Sequence, residues 1–213
     1  MKEGIASEIA GREGLTPEQR KDELKRAGLD FTKLVRENAY MAGAFIIWVV
    51  LCFLPGVAHL ARWQGMDFLL NPFAVKFPAV VAIIAGALSV AGMPLQFTER
   101  LRVNKGGCKD EHHTVTLVQE GIFKVVRHPE YTYHISLIIL IPSAVSPALE
   151  YTVLSLVGTV IAIGVYVLLA KREEAFNTNK WGDEYRRHMK QVPRFNIFLG
   201  FWRLIFKKRA TPG

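Results

Sequence analysis

The sequence has little of what a soluble or secreted domain needs in order to fold. Two cysteines among 213 residues cannot form a disulfide framework, so both are expected as unpaired thiols. Charged residues make up only 22% of the chain, hydrophobic residues make up 50%, and the mean hydropathy is +0.18. Residues 1–38 contain no apolar run, so no secretory signal peptide is expected. This composition excludes a disulfide-rich secreted domain and a disordered chain, and it argues against a soluble globular enzyme.

Long stretches without any charged residue are what the chain has instead. Four of them contain 24, 22, 19 and 20 residues. About 20 helical residues cross the hydrocarbon core of a bilayer, because a helix rises about 1.5 Å per residue. The pattern predicts an all-α integral membrane helical bundle with about four transmembrane helices. The predicted spans are residues 39–61, 77–97, 131–149 and 151–170.

The basic residues predict the orientation. Of the 27 Lys and Arg side chains, eight lie in residues 1–38, six in residues 95–130 and eleven after residue 170. Four crossings place these segments on one side, which the positive-inside rule makes cytoplasmic. We therefore expect a multi-pass protein with cytoplasmic N- and C-termini. A re-entrant hairpin is the alternative for the last two spans, because Pro142 and Pro147 interrupt them, and it leaves the same orientation.

The N-terminal region, residues 1–38, is predicted to form a cytoplasmic amphipathic segment ahead of a transmembrane domain over residues 39–213. Thr16-Pro17-Glu18-Gln19 combines a capping hydroxyl, a proline in the first helical turn and a glutamine three positions after the cap. Apolar residues then recur at helical spacing through Val35. This pattern favours a basic helix on the membrane surface, and a solvated helix with a weak apolar stripe is the alternative. The net charge of +8 indicates anionic headgroups as partners, not nucleic acid.

Three polar clusters fall at the expected cytoplasmic edge. The first is Arg127-His128-Pro129 with Tyr131, the second is Glu173-Glu174, and the third extends from Trp181 to Arg194. Each alone is typical of a helix boundary with headgroup-level charges and aromatic residues. A helix N-terminus at a membrane surface also offers free N–H groups to the carboxylate of a polar cofactor. Adjacent carboxylates at the bilayer edge favour a wet cavity with a cation.

Two further segments have simpler interpretations. Cys108 to His113 contains several metal-type ligands, but adjacent histidines do not share a helix face and no second cluster completes a site, so we expect a solvated loop and no metal. Residues 196–206 are too short to span a bilayer and are predicted to be an interfacial anchor before Lys207-Lys208-Arg209. Residues 173–191 are expected to form a polar cytoplasmic helix that is broken at Gly182, and His188 is expected to be exposed.

Taken together, the clusters have the order G-x-[FY]-x-x-x-R-H-P-x-Y, then E-E about 40 residues later, then [FW]-G-x-x-Y and V-P-R. In this combination, residues 80–197 resemble the isoprenylcysteine carboxyl methyltransferase and phospholipid methyltransferase family. The resemblance implies a membrane bundle whose cytoplasmic C-terminal helical region binds S-adenosylmethionine. The matching residues are Gly121, Phe123, Arg127, His128, Pro129, Tyr131, Glu173, Glu174, Trp181, Gly182, Tyr185, Pro193 and Arg194.

The resemblance implies roles for particular residues. It implies an acceptor held by Arg127 or Arg194, with Glu173 as a third catalytic candidate. A lipid-like or prenylated acceptor is expected, with the carboxylate of an isoprenylcysteine-type substrate favoured for methyl esterification. Tyr133 departs from the family, which usually has a small residue there, and it could narrow the site. The implied cofactor-binding residues are Gln119, Gly121, His128, Pro129, Tyr131, Glu174 and Tyr185.

Several alternative functions stay open on the sequence alone. Within the same family, the acceptor could be a phospholipid amine. The C-terminal part of NADPH-dependent sterol reductases contains a similar Arg-His-Pro-x-Tyr-like run, although such proteins usually have more spans. A non-catalytic membrane protein that keeps the bundle is the third alternative. The lack of a G-x-G-x-x-G motif argues against a soluble Rossmann-type methyltransferase.

Overall fold

The computed structural model describes residues 4–12, 14–29, 32–63, 65, 75–98 and 114–209. Over these residues the all-α prediction is confirmed, and the extended pairing there is an isolated bridge between Val75 and Tyr151. Short 3-10 helices cover Met93–Phe97 and Gly121–Lys124. The helices are α1 (Ile5–Ala10), α2 (Pro17–Arg26), α3 (Thr32–Leu60), α4 (Ala79–Ala91), α5 (Pro129–Val145), α6 (Val153–Gln191) and α7 (Ile197–Arg209).

Two helices in the described part of the chain are long and apolar enough to cross a membrane. One is Ala39–Leu60 within α3, with a mean hydropathy of 2.3, and the other is α6, whose most apolar stretch has a mean hydropathy of 2.5. In α6 the uncharged part is residues 153–170, and the charged residues follow from Lys171 onwards. The shorter helix α4 also presents large apolar side chains outwards. These features indicate membrane association, which agrees with the predicted class of protein.

The chain divides into two compact units. The first contains residues 1–35, 95–132 and 170–213, and the second contains residues 36–94 and 133–169. The N-terminal region is thus grouped with the polar C-terminal part of the chain, and all the predicted site residues belong to this first unit.

The N-terminal region confirms the predicted helix start but not the predicted helix end. Thr16 Oγ1 accepts from the main-chain N–H of Gln19 at 3.2 Å, and Gln19 Oε1 accepts from the N–H of Thr16 at 2.8 Å. The helix then ends at Arg26, and Gly28 has a φ of +86°. The prediction of a single amphipathic helix through Val35 is therefore wrong, because a left-handed glycine ends α2 before α3 begins.

The apolar face of α2 packs into protein. Leu24 is completely buried in the core of the first unit, where it lies with residues of α1, Leu29 and Trp181. A core position removes this side chain from any lipid surface, so the expectation that it faces a bilayer is also wrong. The same core contains Tyr185, so the N-terminal helices support the part of α6 that carries the predicted site.

Helices α3 and α6 pack closely within the second unit. The Cys52 thiol is free and buried, and it donates to the carbonyl oxygen of Ser155 at 3.4 Å, while Ser155 Oγ donates back to the carbonyl oxygen of Cys52 at 3.2 Å. Gly158 permits this approach, because a Cβ there would lie 2.9 Å from Cβ of Leu51. Small residues and reciprocal hydrogen bonds of this kind are typical of helix pairs in membranes.

Tyr133, the departure from the family pattern, packs against α4. Its hydroxyl donates to the carbonyl oxygen of Ser89 at 3.3 Å. Its ring occupies the space over Gly92, where a Cβ would lie 2.9 Å from ring atom Cδ2. The large side chain at position 133 is thus accommodated by a missing side chain at position 92.

Candidate functional site

Two of the predicted motifs lie side by side in the first unit. The main-chain N–H of Arg127 donates to the carbonyl oxygen of Pro193 at 3.0 Å, and that of His128 donates to the carbonyl oxygen of Arg194 at 3.3 Å. Pro129 follows as the first residue of α5, where its missing N–H costs no helical hydrogen bond. The main chain therefore positions Arg127, His128 and Arg194 next to one another.

The carboxylate of Glu174 is the point at which these side chains meet. Arg194 donates to both carboxylate oxygens, with Nε–Oε1 at 2.9 Å and Nη2–Oε2 at 2.5 Å. Arg127 Nη1 and His128 Nε2 lie 3.1 and 3.3 Å from Oε1. We call Arg127, His128, Glu173, Glu174 and Arg194 the Glu174 cluster. Bidentate arginine contacts to a carboxylate are among the strongest side-chain hydrogen bonds.

His128 lies between the two adjacent glutamates. Its Nδ1 is 3.3 Å from Glu173 Oε2, which is within ion-pair distance although the alignment is not that of a hydrogen bond. The contact is therefore electrostatic. Tyr131 stacks on the imidazole at a centroid distance of 5.4 Å, and Phe195 lies 6.0 Å away on a tilted plane. The carboxylates and the aromatic rings together determine the orientation of the imidazole.

The charged side chains of this cluster are largely withdrawn from water, so their charges must be compensated within the protein. The exposed fraction of the side chain is 9% for Arg127, 7% for Glu174 and 29% for Arg194. Burial by itself would raise the pKa of Glu174, but hydrogen bonds from His128 and Arg194 and the charge of Arg127 outweigh it and lower the pKa to about 2. Burial lowers the pKa of Arg127 against the opposing effect of Glu174, and the hydrogen bond to Glu174 raises the pKa of Arg194.

The lowered pKa of Glu174 predicts a loss of stability in acid. A carboxylate whose folded pKa lies below its ordinary value of 4.5 stabilises the fold fully above pH 4.5, and the stabilisation is lost as the pH falls towards 2. The expected loss is about 3 kcal/mol. Thermal unfolding of the detergent-solubilised protein at a series of pH values should show this loss in the wild type and not in Glu174→Gln. Equal acid sensitivity of the two proteins would contradict the ion-pair geometry.

Arg127 has an unused donor inside the cluster. Its Nε is buried and has no hydrogen-bond partner in the described part of the chain. A buried N–H without an acceptor costs about 1–3 kcal/mol, so the position favours binding of a group with an anionic or carbonyl oxygen. This atom is the feature of the cluster that fits a ligand carboxylate.

The remaining predicted cofactor residues, Tyr185, Gln119 and Gly121, are outside the Glu174 cluster, although Tyr185 is close enough to feel its charges. Tyr185 is buried between Trp181 and His188, and burial followed by the charge of Glu173 raises its pKa, so its hydroxyl stays protonated. Gln119 donates its amide to Glu184 Oε1 at 2.9 Å and lines a cavity of about 250 Å³. Gly121 begins a 3-10 helix with a φ of +58°.

Some buried groups of this unit were not anticipated. His188 is only 6% exposed, so the prediction of an exposed histidine is wrong, because residues of other elements, among them Lys124, lie around the same cavity of about 250 Å³. Lys180 is 1% exposed, and its ammonium group lies 4.3 Å from the ring of Trp181. The adjacent Trp181 is the sequence signal for this contact. The predicted break at Gly182 is confirmed, because its φ of 57° and ψ of −131° interrupt α6.

The cysteine-histidine segment at residues 108–113 lies outside the described residues. Across the described ranges there is no group of three His, Cys, Asp or Glu side chains that could hold a metal ion.

Comparisons of this chain with models of protein families, with curated proteins and with solved structures found no match. The function is therefore inferred from the chemistry of the Glu174 cluster and from the order of the motifs that form it.

Proposed function

We propose that the chain is an integral membrane S-adenosylmethionine-dependent methyltransferase that esterifies the carboxylate of a lipid-like acceptor of the isoprenylcysteine type. One observation carries the proposal. The Arg-His-Pro-x-Tyr, Glu-Glu and Val-Pro-Arg motifs, whose order resembles that family, meet at the carboxylate of Glu174. Residues that only contributed headgroup-level charges would have no reason to form one buried cluster.

The proposal includes a four-span bundle with cytoplasmic termini. The apolar helices in α3 and α6 support two of the spans, and the outward apolar side chains of α4 support a third. The second half of α5 is uncharged as well, although it contains Pro142. The distribution of Lys and Arg supports a cytoplasmic position for the Glu174 cluster, where a polar cofactor is available.

The cluster has groups suited to both ends of a methyl-transfer reaction. S-adenosylmethionine, when bound, would supply a methyl group on a positively charged sulfur; a carboxylate oxygen would bond to that carbon as the carbon–sulfur bond breaks and S-adenosylhomocysteine leaves, with no need for acid–base catalysis. Glu174 is already paired with two arginine side chains, so Glu173 is the carboxylate that can compensate the positive charge of a bound cation, and the Arg127 Nε provides a donor for a carboxylate. The stacked Tyr131 and His128 provide a flat surface next to these charges.

Arg194 is the residue best placed to hold an anionic acceptor. Its side chain is more exposed than those of Glu174, with which it pairs, and Arg127, which pairs with the same carboxylate. Its planar guanidinium can form two parallel hydrogen bonds to a carboxylate. Glu174 holds this side chain in place before any substrate arrives, which lowers the entropy cost of binding. The main contribution of the protein is then to position the reactants in a water-poor site.

Calorimetric titration of the purified protein with S-adenosylhomocysteine tests the proposal, with NADPH as the parallel ligand. We expect the wild type to bind S-adenosylhomocysteine and not NADPH. Glu174→Gln should weaken this binding at least about tenfold, because hydrogen bonds to charged groups contribute about 1.5–3 kcal/mol. Asp183→Asn is the matched control, since Asp183 pairs with Arg186 at a more exposed position of the same helix.

The outcomes separate the candidate functions. Binding of NADPH alone would contradict the methyltransferase proposal and support a reductase. Binding of neither ligand by a folded protein would support a non-catalytic role. If S-adenosylhomocysteine binds, a screen of acceptors with a radiolabelled methyl donor distinguishes carboxylates from phospholipid amines. Methylation of an amine lipid in preference to a prenylated carboxylate would overturn the proposed acceptor.

A further inference from the structure

Helix α7 presents an unbroken apolar face to its surroundings. Phe198 is 88% exposed and Trp202 is 61% exposed, and Phe201 and Ile205 are about half exposed. These positions follow the i, i+3, i+4, i+7 spacing, so they lie on one side of the helix. The rings of Trp202 and Phe206 extend this face, with centroids 4.1 Å apart.

The opposite side of α7 packs on the segment that precedes the Glu174 cluster. Gly200 is buried, and a Cβ at this position would overlap the carbonyl oxygen of Val125 and lie 2.9 Å from Cγ1 of the same residue. Arg203 and Leu204, one turn further, lie on the same side as Gly200. The helix is therefore held with its aromatic side outwards by a contact that only glycine permits.

Beneath this inner side lies the cavity of about 250 Å³ described above. Arg203 and Leu204 line it from α7, Lys124 lines it from the 3-10 helix, and His188 and Gln191 line it from the end of α6. Arg203 Nη1 donates to the carbonyl oxygen of Gln191 at 3.5 Å. Both charged residues among the described residues that line the cavity are cations. A cavity with this lining suits an anionic oxygen group such as a phosphate.

We propose that α7 lies in the interface of an anionic bilayer and that Lys124 and Arg203 bind the phosphate of one phospholipid headgroup in this cavity. Charge complementarity identifies the occupant of the apolar face as lipid. The exposed aromatic face and the cation-lined cavity lie on opposite sides of the same helix, and Lys207-Lys208-Arg209 follow in the sequence. A helix with Trp and Phe on one side and Lys and Arg on the other is typical of interfacial binding.

The length of α7 agrees with a position on the membrane and not across it. Thirteen residues extend about 20 Å, which is shorter than the hydrocarbon core. Other helices of the same chain are long enough to cross a membrane, so a bilayer surface is available to α7 in the same molecule. This proposal does not depend on the methyltransferase function.

Lipid retention measures the headgroup site. The full chain is purified in detergent with equal amounts of phosphatidylglycerol and phosphatidylcholine, and the lipids that stay bound are identified by native mass spectrometry. We expect phosphatidylglycerol to be preferred, and the preference to fall about fivefold for each cation removed in Lys124→Ala and Arg203→Ala. The double variant Arg186→Ala/Lys190→Ala has the same charge change on exposed positions of α6 and should keep the preference.

Quenching of tryptophan fluorescence measures the aromatic face. The chain is reconstituted in nanodiscs with brominated phosphatidylcholine, and the wild type is compared with Trp202→Phe. The emission that disappears in the variant is the Trp202 component, and we expect it to be strongly quenched by the brominated chains. An unquenched Trp202 component would overturn the interfacial position of α7 and favour a protein partner for this face.

Two further results would overturn the headgroup assignment. One is an unchanged phosphatidylglycerol preference in the Lys124→Ala/Arg203→Ala double variant. The other is a loss of S-adenosylhomocysteine affinity in that variant while lipid retention stays unchanged. This result would assign the cavity, which Gln119 also lines, to the cofactor. Failure of all S-adenosylhomocysteine binding in the wild type would contradict the proposed function alone and leave the lipid result unaffected.

Discussion

Replacement of Glu174 by alanine is expected to destabilise the protein by about 3–5 kcal/mol, the largest effect of any substitution in the cluster. The carboxylate compensates Arg127 and Arg194 and accepts from His128, so its removal leaves two guanidinium groups close together without their shared anion. Arg194 is partly exposed and can turn to solvent, which places the expected loss towards the lower end of the range.

Thermal unfolding in detergent measures this loss. A double-mutant cycle with Arg194→Ala tests the interaction between the two residues directly. Removal of one guanidinium together with the carboxylate restores the charge balance of the cluster. The Glu174→Ala/Arg194→Ala double variant should therefore lose less stability than the sum of the losses in the two single variants. Asp183→Asn, from an exposed pair on α6, should change stability by less than about 0.5 kcal/mol. Additive losses in the cycle would show that Glu174 and Arg194 do not interact.

Gly200→Ala is expected to release α7 from the first unit. The added Cβ would overlap the main-chain carbonyl oxygen of Val125, and a main-chain atom cannot be moved by a change of rotamer. We expect a loss of about 1–3 kcal/mol and faster tryptic cleavage at Arg203. Because Val125 lies two residues before Arg127, we also expect weaker binding at the Glu174 cluster. Limited proteolysis and the S-adenosylhomocysteine titration measure the two effects.

The control for this substitution is another glycine with space around it. A Cβ at Gly164 in α6 would meet no atom within 4 Å, so Gly164→Ala should be neutral or slightly stabilising. Val125→Ala should not rescue Gly200→Ala, because the overlap with the carbonyl oxygen remains. A rescue would show that the side chain of Val125 and not its main chain sets the distance between the two segments.

Features that depend on neighbours along the chain were predicted well. The capping box at Thr16 and the interruption of α6 at Gly182 are where the sequence places them, because each depends on residues within one helical turn. The prediction failed where a local pattern competed with a remote contact. Leu24 has the spacing of a lipid-facing residue, yet it packs in the core that contains the remote Trp181. His188 is buried for the same reason, since it lines a cavity together with remote residues of α7 and of the second 3-10 helix.

By itself, the sequence determined the helical class of this protein, its apolar helices and the set of motifs from which a site could be built, since hydropathy and helix signals are local properties. The resemblance of those motifs to a methyltransferase family selected the residues, but not their geometry. Only the tertiary structure decided that His128, 46 positions before Glu174, and Arg194, 20 positions after it, bind the same carboxylate. The physical reason is that a buried charge needs compensation from whichever side chains the packing brings within about 3 Å, and packing joins residues that no spacing rule connects.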